Sequence, residues 1–474
     1  MKSLSTIDAA FLFMESPQTP MHVGSLHLLA LPSGTQSKFA ARLRSHLKLR
    51  LSLAPVLTRV VQFLPLNILT PYWAQSGQPD LNDHVRHVKL PKPGDARALE
   101  DLVATLHAET LDRSRPLWEM TVITALGASL QTAPGRHVIA LYSKLHHAAV
   151  DGQGAVALAN AILDVTEHPA PPKPGKRRST LKLGFGEALT GALSHQLSQA
   201  MDLAKRVPDA WRLLRATANK EPSTTTERKR KPPATNGLRL APKTPFNRAI
   251  DASRTFASLG LSLPAIRLLG KTHTASINDV VLAIVAGALR RYLKRHRQLP
   301  KEPLVAAIPF SLRAAGDDQA NNQVAMTMMS LPTHLASADA RLKAVVAASA
   351  TMKAGAGGMR GVLPTDFPAI GWGWLVRSVS KLYGESGLAD RLPTVANLVI
   401  SNVPGPQVPL YLAGAELLSY VPVSIVTHGL GLNITVQSYN GRVFFGLIAS
   451  GKAVSDVHEV RDDLEAAWLE LAGI

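Results

Sequence analysis

Cysteine is absent from all 474 residues, which excludes disulfides, thiolate metal sites, Fe–S ligation and a cysteine nucleophile. That absence limits chemistry and leaves the cellular compartment open. Aromatic residues are only 5% of the chain, and no stacking platform or reading motif lies among the basic residues, so nucleic acid is not an expected partner. Long apolar runs are missing too. The longest, Val280–Leu289, is closed by Asp279 and Arg290, far short of the roughly 20 residues that a bilayer span needs. The opening segment places Asp8 and Glu15 where a signal peptide needs an unbroken apolar stretch, so the expectation is a cytoplasmic protein. No Gly-x-Ser-x-Gly elbow occurs, and Gly270–Thr272 has Ala265 where a phosphate-cradling loop needs its first glycine.

What is present is enough apolar matter for substantial cores: 46% hydrophobic and 18% charged residues, with mean hydropathy near zero. The length exceeds what one core usually organises, so two domains are expected. Acidic residues are scarce, 34 against 52 Lys and Arg, for a formal charge of +18. Between Lys173 and Arg248, 17 basic residues face 5 acidic ones, so a net +12 of that charge sits in one segment. An anionic partner is implied: an acidic membrane surface, a phosphorylated small molecule or, against the scarcity of aromatics, nucleic acid on the basic crossover.

Short apolar segments bounded by Pro or Gly, His22–Leu31 and His137–Leu145, read as strands, and Ala96–Leu111 reads as a helix. Composition turns Pro-rich and basic from His168, giving an expected N-terminal domain over 1–170, a crossover over 171–240 and a C-terminal domain over 241–474. In the crossover, Leu189, Leu193, Leu197, Met201, Ala204, Trp211 and Leu214 recur near helical spacing between basic residues. That stripe suits a helix lying on a membrane surface, with Pro208 as a kink and Arg228–Lys231 adding a polybasic cluster. It equally suits a helix packed on a domain. Downstream, Ser276 and Asn278 are candidate caps for a helix over Asp279–Leu293, and Leu304–Phe310 and Ala396–Ser401 read as buried strands. Six glycines make 354–375 a flexible or closely packed segment.

The sharpest feature is Leu145–Gly154, LHHAAVDGQG. A strand that runs into His146 and His147, then Asp151 and Gly152, carries titratable groups to a strand's carboxyl end, where functional groups of α/β folds gather. Catalysis by a histidine, and a structural histidine pair at a strand terminus with Asp151 capping the following helix, are both compatible with this spacing. Shared metal ligation is awkward, because adjacent strand residues point to opposite faces, and no metal is expected.

The pattern His146-His147-Ala148-Ala149-Val150-Asp151-Gly152 resembles the HHxxxDG motif of CoA-dependent acyltransferases. Four more segments, Ser5–Leu26, Arg115–Met120, Ile277–Ala283 and Asn397–Pro406, resemble the bacterial wax ester synthase/diacylglycerol acyltransferase family and come in that family's order. The resemblance implies an α/β fold of two chloramphenicol-acetyltransferase-like domains, each a mixed sheet with helices, joined by a long crossover. It implies direct transfer of an acyl group from acyl-CoA, as co-substrate and with no bound cofactor, to a fatty alcohol or diacylglycerol; a polar secondary-metabolite alcohol is the alternative acceptor. Under it, His147 is the general base, His146 its support, and Asn278 an amide donor to the oxyanion. Asp151 is expected to pair with an arginine, for which Arg313 is the candidate. Gly152 permits a tight turn, and Asp279 stabilises the helix start. Peripheral association with an anionic membrane or lipid droplet follows from such substrates.

Overall fold

The computed structural model describes residues 2–32, 38–63, 70–150, 152–172, 240–311, 324–359 and 372–473. The crossover stripe, the Arg228–Lys231 cluster, Asp151 and Arg313 lie outside them.

Three sheets carry the strands. A small antiparallel one joins β1 (Lys2–Ser3), β3 (Arg59–Gln62) and β4 (Tyr72–Gln75). The first large sheet is built on β2 (His22–Ala30), β5 (Val85–Lys89), β6 (Trp118–Thr124) and β7 (Val138–His146). The second orders β10 (Val324–Leu331), β9 (Leu304–Ser311), β11 (Leu398–Val403), β15 (Leu432–Tyr439), β16 (Arg442–Ser450) and β8 (Arg254–Ser262). Both mix parallel and antiparallel pairs, β5 with β6 and β11 with β15 being parallel. The expected strands at His22, His137, Leu304 and Ala396 are all strands.

The first sheet is not made of N-terminal residues alone. Strands β12 (Tyr411–Leu412), β13 (Ala415–Leu417) and β14 (Val421–Val423) reach across from the C-terminal half, β13 and β14 pairing with opposite ends of β2. Leu410, Leu412, Leu417, Val421 and Val423 are buried in the first core beside Leu26, Leu29 and Tyr142. A run that sequence composition assigns to the second half thus gains its backbone partners from the first, because an edge strand's free N–H and C=O groups are a template for another strand.

Helix α1 (Thr6–Met14) is capped by Ser5, whose Oγ accepts from the Asp8 N–H. Helices α2 (Phe39–Arg50), α3 (Ala96–Ala108) and α4 (Gly152–Ile162) complete the first half. In the second, α5 (Leu263–Thr272) leads to α6 (Ile277–Arg295), whose apolar run is wholly inside: Val280 to Ala286 are buried to within 3%. Among the described residues no single helix is long and apolar enough to cross a membrane. Ser276 and Asp279 form a reciprocal capping box at the start of α6, so Ser276 is the cap and Asn278 sits inside the first turn. Asn278 was an equal candidate by residue type, but only Ser276 stands three residues before a carboxylate that can reach back. Helix α7 (Ala338–Met359) runs on through Gly355, Gly357 and Gly358, at the start of the segment expected to be flexible or closely packed, whose residues 360–371 lie outside the described ones; its alanine-rich body favours helix enough to offset the glycines. Helices α8 (Trp372–Glu385) and α9 (Val457–Ala472) follow.

The two halves meet through charge as well as strands. Glu100 of α3, 3% exposed, accepts from the backbone N–H and Oγ of Ser258 in β8 at 2.7 and 2.5 Å, and its other oxygen faces His458 Nε2 at 2.9 Å. That hydrogen bond holds the His458 pKa above its usual value. Where β14 crosses onto β16, a Cβ on Gly446 would collide with the Pro422 carbonyl oxygen. Gly446→Ala is therefore expected to lower stability by about 1–3 kcal/mol through overpacking, read as a lowered midpoint in denaturant; an unchanged midpoint would show that the sheets can separate there freely.

Candidate active site

Strand β7 ends at His146, in register with His22 of β2, and the chain then tightens into a single 3-10 turn, His147–Ala149. Two backbone bonds fix this corner: the His146 N–H donates to Leu117 O at 3.0 Å and the His147 N–H to Met21 O at 2.8 Å. Leu117 lies within the Arg115–Met120 segment, whose Trp118 is 2% exposed and donates Nε1–H to Leu57 O. The segment supports the histidine corner from behind.

His146 is fully buried. Its Nδ1 accepts from the Ala148 N–H at 3.1 Å, which places the ring proton on Nε2. That nitrogen lies 3.3 Å from Glu15 Oε1. Glu15, at the C-terminal end of α1, has a side chain 4% exposed and pairs with Arg113 at 2.7 Å; Arg113 also donates to Leu12 O, a helix-end carbonyl of α1, and the Met21 N–H donates to Glu15 Oε1. Burial by itself would raise the Glu15 pKa, but hydrogen bonding and charge from His146 and then Arg113 outweigh it and hold the carboxyl down to about 2. His146 Nδ1 is thus committed within the fold, while its Nε2 faces Glu15 at ion-pair distance without hydrogen-bond geometry.

His147 is different. Its ring stacks on Phe11 of α1, centroids 4.1 Å apart and 19° from parallel, and its buried Nδ1 has no partner on another residue. Burial first, and then the neighbouring His146, push its pKa down to about 4, with its own backbone carbonyl pulling weakly the other way. At neutral pH the ring is uncharged. A proton on Nδ1, facing that carbonyl, puts the lone pair on Nε2.

Behind the corner lies a buried polar belt. His107 Nε2 meets Ser424 O at 2.7 Å and its Nδ1 meets Tyr142 Oη at 2.6 Å, so the ring donates to the carbonyl and accepts from the phenol. His22 Nε2 donates to His107 O at 2.8 Å. Burial keeps His107 down to about 3 and His22 well below the usual histidine range. These neutral rings tie the His146 end of the sheet to the C-terminal excursion at Ser424.

The remaining expected residues fall into a second group on the other half. Asn278 Oδ1 accepts from Asn402 Nδ2 at 3.2 Å, joining segments 124 residues apart, and leaves the amide donors of Asn278 without a partner among the described residues. Asp279 is 4% exposed and serves the capping box through Oδ2. Asn397, fully buried, exchanges hydrogen bonds with Val305 and Asn247, and the Gly405 N–H donates to Ser438 Oγ. Gly152 opens α4. No hydrogen bond among the described residues links Asn278 to the histidines, and none of these residues gathers with two other His, Asp or Glu side chains as a metal site would require.

Glu15, Arg113 and Phe11 were not singled out from sequence as functional. The one signal was an acidic residue interrupting an apolar N-terminal stretch, and by itself that does not point to a histidine.

Comparison with known proteins places this geometry. Two halves of mixed sheet and helix form the chloramphenicol-acetyltransferase-like architecture shared by condensation domains: the starter condensation domain of rhizomide synthetase, solved with C8-CoA and Leu-SNAC, aligns over 100% of this chain and 94% of its own at TM-score 0.54 and 14% identity, a likeness of fold alone. A wax ester synthase/diacylglycerol acyltransferase from Marinobacter aquaeolei aligns over 100% of both chains at TM-score 0.67 and 29% identity. The family's catalytic-domain model matches residues 4–281 and its C-terminal-domain model residues 320–472. An O-acyltransferase of Acinetobacter baylyi is 32% identical over 98% of this chain and 96% of its own, and a Mycobacterium tuberculosis protein named a probable diacylglycerol O-acyltransferase is 32% identical over 98% and 97%. The fold and the site define a CoA-dependent acyltransferase. The chain belongs to the wax ester synthase/diacylglycerol acyltransferase family.

Glu15→Gln removes the buried charge of a pair whose Arg113 is 35% exposed and stays partly solvated, so a loss of roughly 1–2 kcal/mol is expected. The Glu15 carboxyl is held below its usual value, so its stabilisation is present above about pH 4.5 and lost as pH falls toward 2. Chemical denaturation from pH 7 to 3 should show a steeper acid loss in the parent than in Glu15→Gln; parallel curves would contradict the buried ion pair.

Proposed function

We propose that the enzyme transfers a long-chain acyl group from acyl-CoA directly to the hydroxyl of a fatty alcohol or a diacylglycerol, releasing CoA and a wax ester or a triacylglycerol. Family membership and the names of the Marinobacter and Acinetobacter relatives support the reaction class, and the condensation domain solved with C8-CoA supports an acyl-CoA donor on this fold. The observation that carries the mechanism is the uncharged His147 ring, desolvated against Phe11.

In this mechanism His147 Nε2 takes the proton of the acceptor hydroxyl as its oxygen attacks the thioester carbon. The tetrahedral oxyanion that forms accepts from the Asn278 amide, held in place by Asn402. Collapse breaks the C–S bond, and the proton on His147 passes to the departing thiolate. His146 touches no reacting atom; it positions its neighbour. Asp151 and Gly152 would shape the turn after His147, with Arg313 as the proposed partner of Asp151. Acyl-CoA is a co-substrate, and the enzyme would work in the cytoplasm at a membrane or lipid-droplet surface where both substrates partition.

Thiol release from palmitoyl-CoA with hexadecanol, dioleoylglycerol and a short polar alcohol tests the reading. Turnover with either lipid is expected, and turnover with the polar alcohol alone would assign a secondary-metabolite acceptor instead. His147→Ala should lower the rate by at least about 10²-fold. Because the His147 pKa is pushed down to about 4, the rate should be flat from about pH 8 to 5.5 and fall only below that; an acid limb centred near 6.5 would mean that the ring is not desolvated as described.

A further inference from the structure

Among the described residues, helix α8 leaves an apolar face unpartnered. Gly373, whose Cβ would overlap the Phe13 ring, and Gly384, whose Cβ would overlap His428, bring the helix close against its neighbours. Val376 joins the small core around Leu12, Phe13 and Ala148. The opposite side carries Trp374, Leu375, Val379 and Leu382, which are 70%, 47%, 56% and 60% exposed. Residues 375, 379 and 382 share one stripe at helical spacing, and Arg377 and Lys381, both exposed, flank Trp374 on the side away from it. One end of α8 therefore rests on α1, the helix whose Phe11 stacks on His147.

The other end of α8 adjoins a basic cavity. The helical turn Leu388–Arg391 follows directly, and Asp390 together with Lys243, Arg248 and Lys452 lines a cavity of about 570 Å³. Lys243 Nζ donates to the Asp390 carbonyl oxygen, and the Asp390 carboxylate accepts from the Ala249 N–H. Arg248 and Lys452 are exposed and have no ion-pair partner among the described residues, so three cations face one anion there. A soluble partner would need only one of these features. An exposed aliphatic and tryptophan stripe beside unpaired cations is the composition of an interfacial helix on an anionic bilayer, apolar side chains entering the acyl boundary while Lys and Arg meet lipid phosphates.

We propose that α8 and the Lys243–Arg248–Lys452 cavity form the surface by which this enzyme docks on an anionic phospholipid membrane, with α8 lying between the bilayer and the helix that carries Phe11. The docking assigns an entry side for the water-insoluble acceptor, and in that respect it rests on the lipid-acceptor reading.

The test is flotation of the full-length protein with vesicles of phosphatidylcholine containing phosphatidylglycerol, and with phosphatidylcholine alone, at low salt. Leu375→Gln/Val379→Gln/Leu382→Gln and, separately, Arg248→Ala/Lys452→Ala should each reduce the bound fraction on anionic vesicles at least tenfold. Both should keep parental turnover on a water-soluble short-chain alcohol, since neither set touches the histidine corner. Brominated lipid should quench Trp fluorescence in the parent and do so less in Trp374→Phe. Unchanged flotation of the apolar variant, or equal quenching in Trp374→Phe, overturns the proposal, as does conversion of a dimer to a monomer by the apolar variant with flotation intact, which would make a second copy the occupant. Flotation is read without turnover, so absent CoA release from any acceptor would reject the acyltransfer reading and leave the docking result standing.

Discussion

A carboxylate buried at the end of the first helix sets the terms on which the active-site corner exists. Glu15 stays ionised out of water because His146 faces it, Arg113 pairs with it and the Met21 N–H donates to it, and a buried charge without such partners is strongly unfavourable. In return it faces the protonated nitrogen of His146 and so holds the last residue of β7 in one tautomer and one orientation. The next residue inherits the result. His147 leaves the strand in a 3-10 turn, with its ring against Phe11 of the same helix that ends in Glu15. One short helix therefore supplies both the ion that fixes the first histidine and the ring that desolvates the second.

The same economy of elements joins the halves. A site shared between two sheets is only as well defined as their relative position, and here that position is set by backbone hydrogen bonds. The excursion through 411–423 adds strands to the first sheet before the chain returns as β15, and Ser424 at its end accepts from His107. Glu100, Ser258 and His458 make a second, ionic fastening on the other side. Asn402 and Asn278, both from the second half, are held together near the end of β11.

Much of this was legible before any coordinates. Strands β2, β7, β9 and β11 announced themselves as short apolar runs between turn residues, and the start of α6 as cap-type residues, Ser276 and Asn278, ahead of an apolar run. The histidine pair was visible because titratable residues at a strand end are chemically conspicuous. What escaped notice depends on distance in sequence. Glu15 and His146 are separated by 131 residues, and nothing local to Glu15 distinguishes an ion that anchors a histidine from one that merely interrupts an apolar stretch. The membership of 411–423 in the first sheet was invisible for the same reason: strand pairing partners are chosen by topology, and residue type does not record them. Asn278 shows the converse, a residue whose type fits a helix cap but whose neighbour Ser276 takes that task and leaves the amide available.

The central claim is that His147 acts as a base and never carries the acyl group, so that transfer passes in one step from thioester to alcohol. Intact-protein mass spectrometry after incubation with palmitoyl-CoA, without acceptor and with rapid acid quench, tests this most directly. The account predicts an unmodified chain and no burst of CoA; a mass increase of one palmitoyl group, formed within a turnover and discharged on adding hexadecanol, would contradict it.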